Sequence, residues 1–484
     1  MSITTQTSAS QRIASLLDDS SFVEIGSYVT ARNTDFNLQN VKTPADGVIT
    51  GYGTIDGNLV YVYSQDASVL GGAVGEMHAK KIVRLYDLAM KMGAPVIGMV
   101  DCAGMRLQEA TDALESFGQI YHSQAMASGV IPQITAIFGV CGGGMTVSCG
   151  LTDFTFMESK KAKLFVNSPN TLDGNHQEAC DTASAKFQSE ETGLVDRIGS
   201  EEEILEAIRE LIGILPANNE DDMSYDECTD NLNRLCNGIE GCVGDTALAL
   251  AMISDDAYFF ETKSDYAKEM VTGFIRLNGM TVGAVANRLE EVDEDGKVVA
   301  SYDAVLTAQG ARKAAQFINF CDAFDIPVLS LTNVKGYKAT KCQERSMARE
   351  VAKLTYAFAN ATVPKVNVII GQALGSAYIT MNSKSLGADI VYAWTDAVVG
   401  MMDSIAATKI MYAEEIKKSS NAMQLINEKA AQYYELQSSA EAAARHGYVD
   451  DIITPVETRK RVIAAFEMLF TKREDRPSKK HGTV

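Results

Sequence analysis

Three consecutive glycines, Gly142-Gly143-Gly144, follow the apolar run ITAIFGV and precede MTVSCGLTDF, a segment able to begin a helix. Glycines at a strand-to-helix turn let the backbone approach a ligand closely. They also leave N–H groups unpaired at the positive end of the helix. Two such groups aimed at one oxygen stabilise an oxyanion. The second donor is expected from the loop after the preceding strand, Asp101-Cys102-Ala103-Gly104-Met105-Arg106. A crossover too tight for any side chain would use the same glycines, so the turn alone leaves both readings open.

The arrangement occurs a second time. Ala373-Leu374-Gly375-Ser376-Ala377-Tyr378 forms the later turn, and Asn333-Val334-Lys335-Gly336-Tyr337 its partner loop. Pro95 and Pro327, Gly104 and Gly336, Pro132 and Pro364, Gly139 and Gly371, and Gly143 and Gly375 are each 232 residues apart. A gap-free register of this length means a duplicated domain and two copies of whatever the turn builds. No Ser/His/Asp set, paired carboxylates or phosphate-binding P-loop accompanies the turns. Backbone donors alone suit a reaction through an enolate or another delocalised oxyanion.

The elements around the turns repeat as well. GYGTIDGNLVYVYSQD reads as a hairpin turning at Asp56-Gly57-Asn58, and GFIRLNGMTVGAVAN as its copy turning at Asn278-Gly279. Here the offset is 222, and the acidic insertion EEVDEDGKVVASY restores 232. Each hairpin is followed by an amphipathic helix, a buried strand after a proline, another helix and another buried strand. Such alternation implies right-handed crossovers and an α/β domain in each half. Pro, Asn and acidic residues mark a linker near residues 216–245, dividing the chain into 1–230 and 231–484.

Bulk composition narrows the class. A formal net charge of −20 argues against nucleic acid as a partner. Nine cysteines without a CxxC pair and five histidines without an HExxH pattern argue against a disulfide framework and a metal site. No secretory signal and no uninterrupted apolar stretch of about 20 residues is present, so a cytoplasmic protein is expected.

Several runs resemble the biotin-dependent acyl-CoA carboxyltransferases. In the first half these are SQDASVLGGAVGEMHAKKI, GMRLQE, SGVIPQI, LTDFTFM and LPANN. In the second they are VTGFIRLNG, FCDAFDIPVL, TYAFANATVPKV and GADIVYAW. The resemblance covers nearly the whole chain and implies two tandem crotonase-like (ClpP-type spiral) α/β domains. It also implies that the first domain stabilises the enolate of an acyl-CoA thioester at Gly143 and Gly144, with Met105 as second-loop donor. The second domain would hold the ureido oxygen of biotin at Gly375, Ser376 and Ala377. Substrate contacts are implied at Gly71, Gly72, Gly104 and Arg106, and at Asn333, Gly336, Tyr337, Tyr378 and Ile379.

The implied partners are a biotin carrier protein and either a biotin carboxylase or a membrane decarboxylase subunit, within a homo-oligomer, a hexamer in this family. Association with a membrane would then come through the complex. Resemblance to the short anaerobe-type members favours the decarboxylase direction; an acyl-CoA carboxylase beta subunit is the alternative. A crotonase-type hydratase, with Glu109 as its base, and a non-catalytic scaffold are more distant readings. The second half departs from the family pattern. Its DVPGF loop appears as Asn333-Val334-Lys335-Gly336-Tyr337, and the position after Tyr378, often Asp, is Ile379. Ala89-Met90-Lys91-Met92 matches the tetrapeptide around a biotinylated lysine, but its place at the end of an amphipathic helix argues against that modification.

Overall fold

The computed structural model describes residues 7–32, 36, 38–221, 227–293, 295–477 and 482. The chain divides into two compact units, Met1–Ser224 and Tyr225–Val484. In the first, β1 (Val23–Ile25), β2 (Val48–Ile55) and β3 (Asn58–Gln65) run antiparallel. The β2–β3 turn uses positive φ at Asp56 and Gly57, as a tight hairpin requires. β4 (Val96–Cys102), β5 (Gln133–Gly142), β6 (Phe154–Glu158) and β8 (Arg197–Gly199) extend the sheet in parallel from β3. β7 (Lys163–Phe165) pairs with the end of β5. β5 is therefore shared. Its first part lies between β4 and β6, and its last residues leave for β7, the step that makes the unit a spiral.

The second unit repeats this plan. β9 (Phe259–Thr262), β10 (Met270–Leu277) and β11 (Met280–Asn287) are antiparallel. After the separate ribbon of β12 (Glu290–Val292) and β13 (Val298–Ser301), the strands β14 (Val328–Val334), β15 (Lys365–Leu374), β16 (Ile390–Trp394) and β18 (Asp451–Ile453) follow in parallel. β17 (Val398–Gly400) pairs with the end of β15 as β7 does with β5. The acidic insertion is thus the β12–β13 ribbon, which accounts for the change of offset after the second hairpin.

Crossover helices cover each sheet. Helix Glu76–Met92 buries Ile82, Leu85, Tyr86 and Ala89 against β4 and its neighbours, and Gly93 ends it in the left-handed conformation. Lys91 lies exposed in its last turn, on a helix and not on a hairpin. One helix residue repeats in detail. The buried Lys81 donates to the carbonyls of Ala45 and Val48, and Lys313, 232 residues on, to those of Lys263 and Tyr266. Each ammonium ties its helix to the chain that leads into a hairpin.

The expected linker is only partly a linker. Residues 222–226 lie outside the described residues, and from there on the segment packs into the second unit. Cys236 and Ile239 are buried, and the Cys236 N–H donates to Val456 O at 2.9 Å. Polar composition hid this because a few apolar residues suffice to anchor such a stretch. Among the described residues no helix is long and apolar enough to cross a membrane, and no metal-ligating cluster occurs.

Candidate active site

The end of β4 meets the end of β5 at Cys102 and Cys141, where the ladder shifts register. This places the loop after β4 beside the glycine turn after β5. Gly143 has φ 60° and ψ −125°, a conformation open essentially to glycine alone. Its N–H donates to Phe165 O at 2.9 Å. That expected donor is therefore engaged in the sheet, and Gly143 contributes the shape of the turn. The next N–H, that of Gly144, carries no hydrogen bond among the described residues.

The partner loop is held by a single parallel bridge between Val74 and Met105. The Val74 N–H donates to Gly104 O and the Arg106 N–H to Val74 O, both at 2.9 Å. Residues flanking Met105 make both bonds, so the Met105 N–H points to the other side and has no partner among the described residues. Gly104, at φ 106°, brings this loop against the turn; a Cβ there would lie 3.8 Å from Gly142 O. Gly71 and Gly72 support the loop from beneath. Gly71 O accepts from the Ala103 N–H, and a Cβ on Gly72 would stand 2.1 Å from Asp101 O. Their role is close backbone crossing.

Arg106 departs from its expected role as a substrate contact. Its side chain is fully buried, with Nη1 2.6 Å from Asp46 Oδ1 and 2.7 Å from Glu109 Oε1. Nη2 donates to Ala73 O at 2.8 Å. The Glu109 and Asp46 carboxylates in turn accept the Glu76 and His78 N–H groups, at 2.6 and 2.7 Å. Both therefore cap the helix Glu76–Met92. Gly75 makes room, because a Cβ there would fall 2.4 Å from Glu109 Oε1. A guanidinium this deeply buried, with both terminal nitrogens engaged, cannot reach a phosphate. Glu109, equally held, is not free to act as a hydratase base.

His78 completes this cluster. Its Nδ1 lies 2.9 Å from Asp46 O, a pure acceptor, so Nδ1 carries the proton and Nε2 accepts from Gln65. Burial, with the Arg106 charge adding to it, pulls the imidazole pKa down to about 3 from 6.5. Burial also pushes the Asp46 carboxyl up. The unfolded chain takes up a proton at His78 below pH 6.5 that the folded chain refuses. The neutral-His contribution is thus complete above pH 6.5 and declines towards pH 3. Between pH 6.5 and 5 this site removes about 2 kcal/mol of stability. Denaturant titrations should show a smaller pH dependence in His78→Gln by that amount; equal slopes would contradict the assignment.

The second unit reproduces the strand-end shift and the loop bridge of the first. β14 and β15 end together at Val334 and Ala373, with the same register shift. Leu306 bridges Tyr337. The Leu306 N–H donates to Gly336 O at 2.9 Å and the Lys338 N–H to Leu306 O at 2.8 Å. Leu306 and Tyr337 stand 232 residues after Val74 and Met105. The Tyr337 N–H is thus the counterpart of the Met105 N–H, a correspondence the repeat offset already contained. Gly375, at φ 64°, opens the turn as Gly143 does. Ser376 is exposed and Ala377 buried at the start of helix Gly375–Thr380. The Tyr337 and Ser376 N–H groups carry no hydrogen bond among the described residues.

Asn333 departs from its expected role as well. It is buried; its Oδ1 accepts the Gln372 N–H at 2.9 Å and its N–H donates to Asn287 Oδ1 at 3.0 Å. Asp101 does the same in the first unit, with the N–H of Val140 and the side chain of Gln65. The amide oxygen of Asn333 therefore replaces a carboxylate as a brace between strand ends, and the lost charge never faced the turn. Lys335 is exposed on the loop, Ile379 is exposed on the helix, and the buried hydroxyl of Tyr378 is pushed up to about 12. Met401 borders the same turn, its carbonyl 3.3 Å from where a Gly375 Cβ would be.

Residues 5–484 match the carboxyl transferase domain family. The chain is 38% identical over 488 residues to methylmalonyl-CoA decarboxylase subunit alpha of Propionigenium modestum, covering 98% of this chain and 92% of that protein. It is 39% identical over 488 residues to the propionyl-CoA carboxylase beta chain of Roseobacter denitrificans, covering 98% and 93%. The crystal structure of transcarboxylase 12S with hydrolysed methylmalonyl-coenzyme A bound superposes with a TM-score of 0.91 at 34% identity, over 98% of this chain and 92% of that one. With its duplicated crotonase-like α/β plan and full-length match, the chain belongs to the carboxyl transferase family and is a biotin-dependent acyl-CoA carboxyltransferase.

Proposed function

We propose that the first unit holds the thioester of a methylmalonyl-type acyl-CoA and the second the ureido end of biotin, with carboxyl transfer running in the decarboxylase direction. The repeated hydrogen-bond frame carries the assignment of the two sites, and similarity to methylmalonyl-CoA decarboxylase subunits supports the direction. The frame leaves two backbone donors free at each turn, Met105 and Gly144 in one unit, Tyr337 and Ser376 in the other. At the first turn, two N–H groups converging on the thioester oxygen stabilise the enolate that forms as the carboxyl group leaves. At the second, a urea oxygen is a suitable acceptor for two N–H groups, and exposed Ile379 and Met401 offer apolar surface to the adjoining rings. Biotin, when bound, supplies the nitrogen that takes up the carboxyl group. The Ala377 N–H, next in the turn, supports the same orientation.

The biotin arrives on a carrier protein, and the assembly is a homohexamer. In the decarboxylase direction a membrane decarboxylase subunit completes the complex and brings this chain to the membrane surface. A propionyl-CoA carboxylase beta chain working with a biotin carboxylase is the second reading, favoured by a relative of that name at 39% identity. The same donors serve both directions, since a site that stabilises the enolate does so whichever way it is reached. The engaged state of Glu109 disfavours a hydratase, and the intact second frame disfavours a scaffold.

Free biotin tests the reading. Purified protein given methylmalonyl-CoA or malonyl-CoA should release CO2 only when biotin is present. Absence of biotin-dependent turnover with either, and of carboxyl exchange with propionyl-CoA, overturns it.

A further inference from the structure

We infer that Tyr121 is a positioning residue for the first-unit turn, holding the Gly144 peptide so that the backbone donors are set before substrate arrives. The inference rests on the proposed role of this turn in binding the thioester oxygen. Tyr121 lies on the helix Ala110–Ala127, and its hydroxyl donates to Gly144 O at 2.5 Å. Phe117, one helical turn earlier, meets the tyrosine ring edge-on at a centroid distance of 5.9 Å. The two rings pack together beside the turn, where Phe117 also lies close to Gly144.

The turn needs such a hold. Gly143 and Gly144 carry more backbone freedom than any other pair of residues, and a loosely held donor loses much of its value to an oxyanion. The helix Gly144–Gly150 begins at this residue, and the remaining restraints act on the Gly143 peptide and its neighbours. The Gly143 N–H is tied to Phe165 O, and the Thr146 N–H to Gly143 O at 3.1 Å. The Thr146 hydroxyl reaches Cys141 O and Phe165 O. Tyr121 is the side chain that holds the Gly144 carbonyl, across the Cα from its N–H, and so limits rotation of the turn about that Cα.

The same helix starts beside Glu109, in the buried cluster that holds the Met105 loop. One rigid element thus sets both donors. Burial raises the Tyr121 hydroxyl above its ordinary range, so it remains a protonated donor at neutral pH. The second unit has no such device. The residue 232 positions on is Lys353, whose ammonium lies 3.5 Å from Glu350. Among the described residues no side chain donates to the Ser376 carbonyl.

Tyr121→Phe keeps the ring and removes the hydroxyl. Two measurements test it together. Amide hydrogen exchange without ligand should accelerate in peptides covering 142–150 and stay unchanged in those covering 374–380. In steady-state assays kcat should fall about ten-fold while KM for the acyl-CoA stays within about two-fold. Unchanged exchange overturns the inference whatever the activity. Faster exchange with wild-type kcat overturns the positioning role. A wild-type enzyme without biotin-dependent turnover overturns the proposed function, a separate result because exchange is read without substrate.

Discussion

Gly144→Val lowers kcat by about 10²- to 10³-fold, the loss expected when one oxyanion donor is displaced. A Cβ at this position would stand 2.9 Å from Tyr121 Oη and 3.3 Å from Phe117 Cδ1. The first distance is closer than such atoms approach, so the turn or the ring must move. Movement of the turn displaces the Gly144 N–H, and movement of the ring breaks the Tyr121 bond to Gly144 O that steadies it. Gly150→Ala is the control. That glycine ends the same short helix, and a Cβ there meets nothing nearer than Leu194 at 4.0 Å. Turnover that survives Gly144→Val would refute the assignment of this turn, whereas loss in both variants would point to damage of the helix.

Arg106→Met destabilises the first unit by about 3–5 kcal/mol, because it leaves two buried carboxylates without their cation. Asp46 and Glu109 share that guanidinium, and none of the three side chains has solvent to turn to. Activity falls with stability, since the ion cluster fixes the Met105 loop to the start of the helix Glu76–Met92. The triple variant Asp46→Asn/Arg106→Met/Glu109→Gln should recover part of the loss, because no unpaired charge remains. Denaturation midpoints decide. An Arg106→Met protein as stable as the wild type would mean that water reaches the cluster. A triple variant no better than the single one would place the cost in packing and not in charge.

These two positions mark different degrees of legibility. Gly143 and Gly375 announce themselves because positive φ is a local demand that glycine meets and other residues do not. The hairpins at Asp56-Gly57 and Asn278-Gly279 are legible for the same reason. The constant offset of 232 is stronger still. It carries Val74–Met105 onto Leu306–Tyr337, and so contains the second unit's loop donor in the sequence itself. Arg106 and Asn333 were not legible as braces. An arginine and an asparagine near a glycine turn are equally good candidates for ligand contacts until the groups around them are known. Asp46 is 60 residues from Arg106, and Gln372 is 39 from Asn333. Charge and polarity state only that partners are needed.

The sequence by itself determined the duplication, the α/β class, the two strand-to-helix turns and the family, because these follow from periodicity, glycine geometry and motif order along the chain. Only the tertiary structure decided which groups remain free. It engages the Gly143 N–H with Phe165, buries Arg106 and Asn333 among their partners, and sets the Tyr121 hydroxyl on Gly144. The physical reason is common to all four. A donor or a charge acts on a ligand only if nothing in the fold has already satisfied it, and what satisfies it comes from another part of the chain.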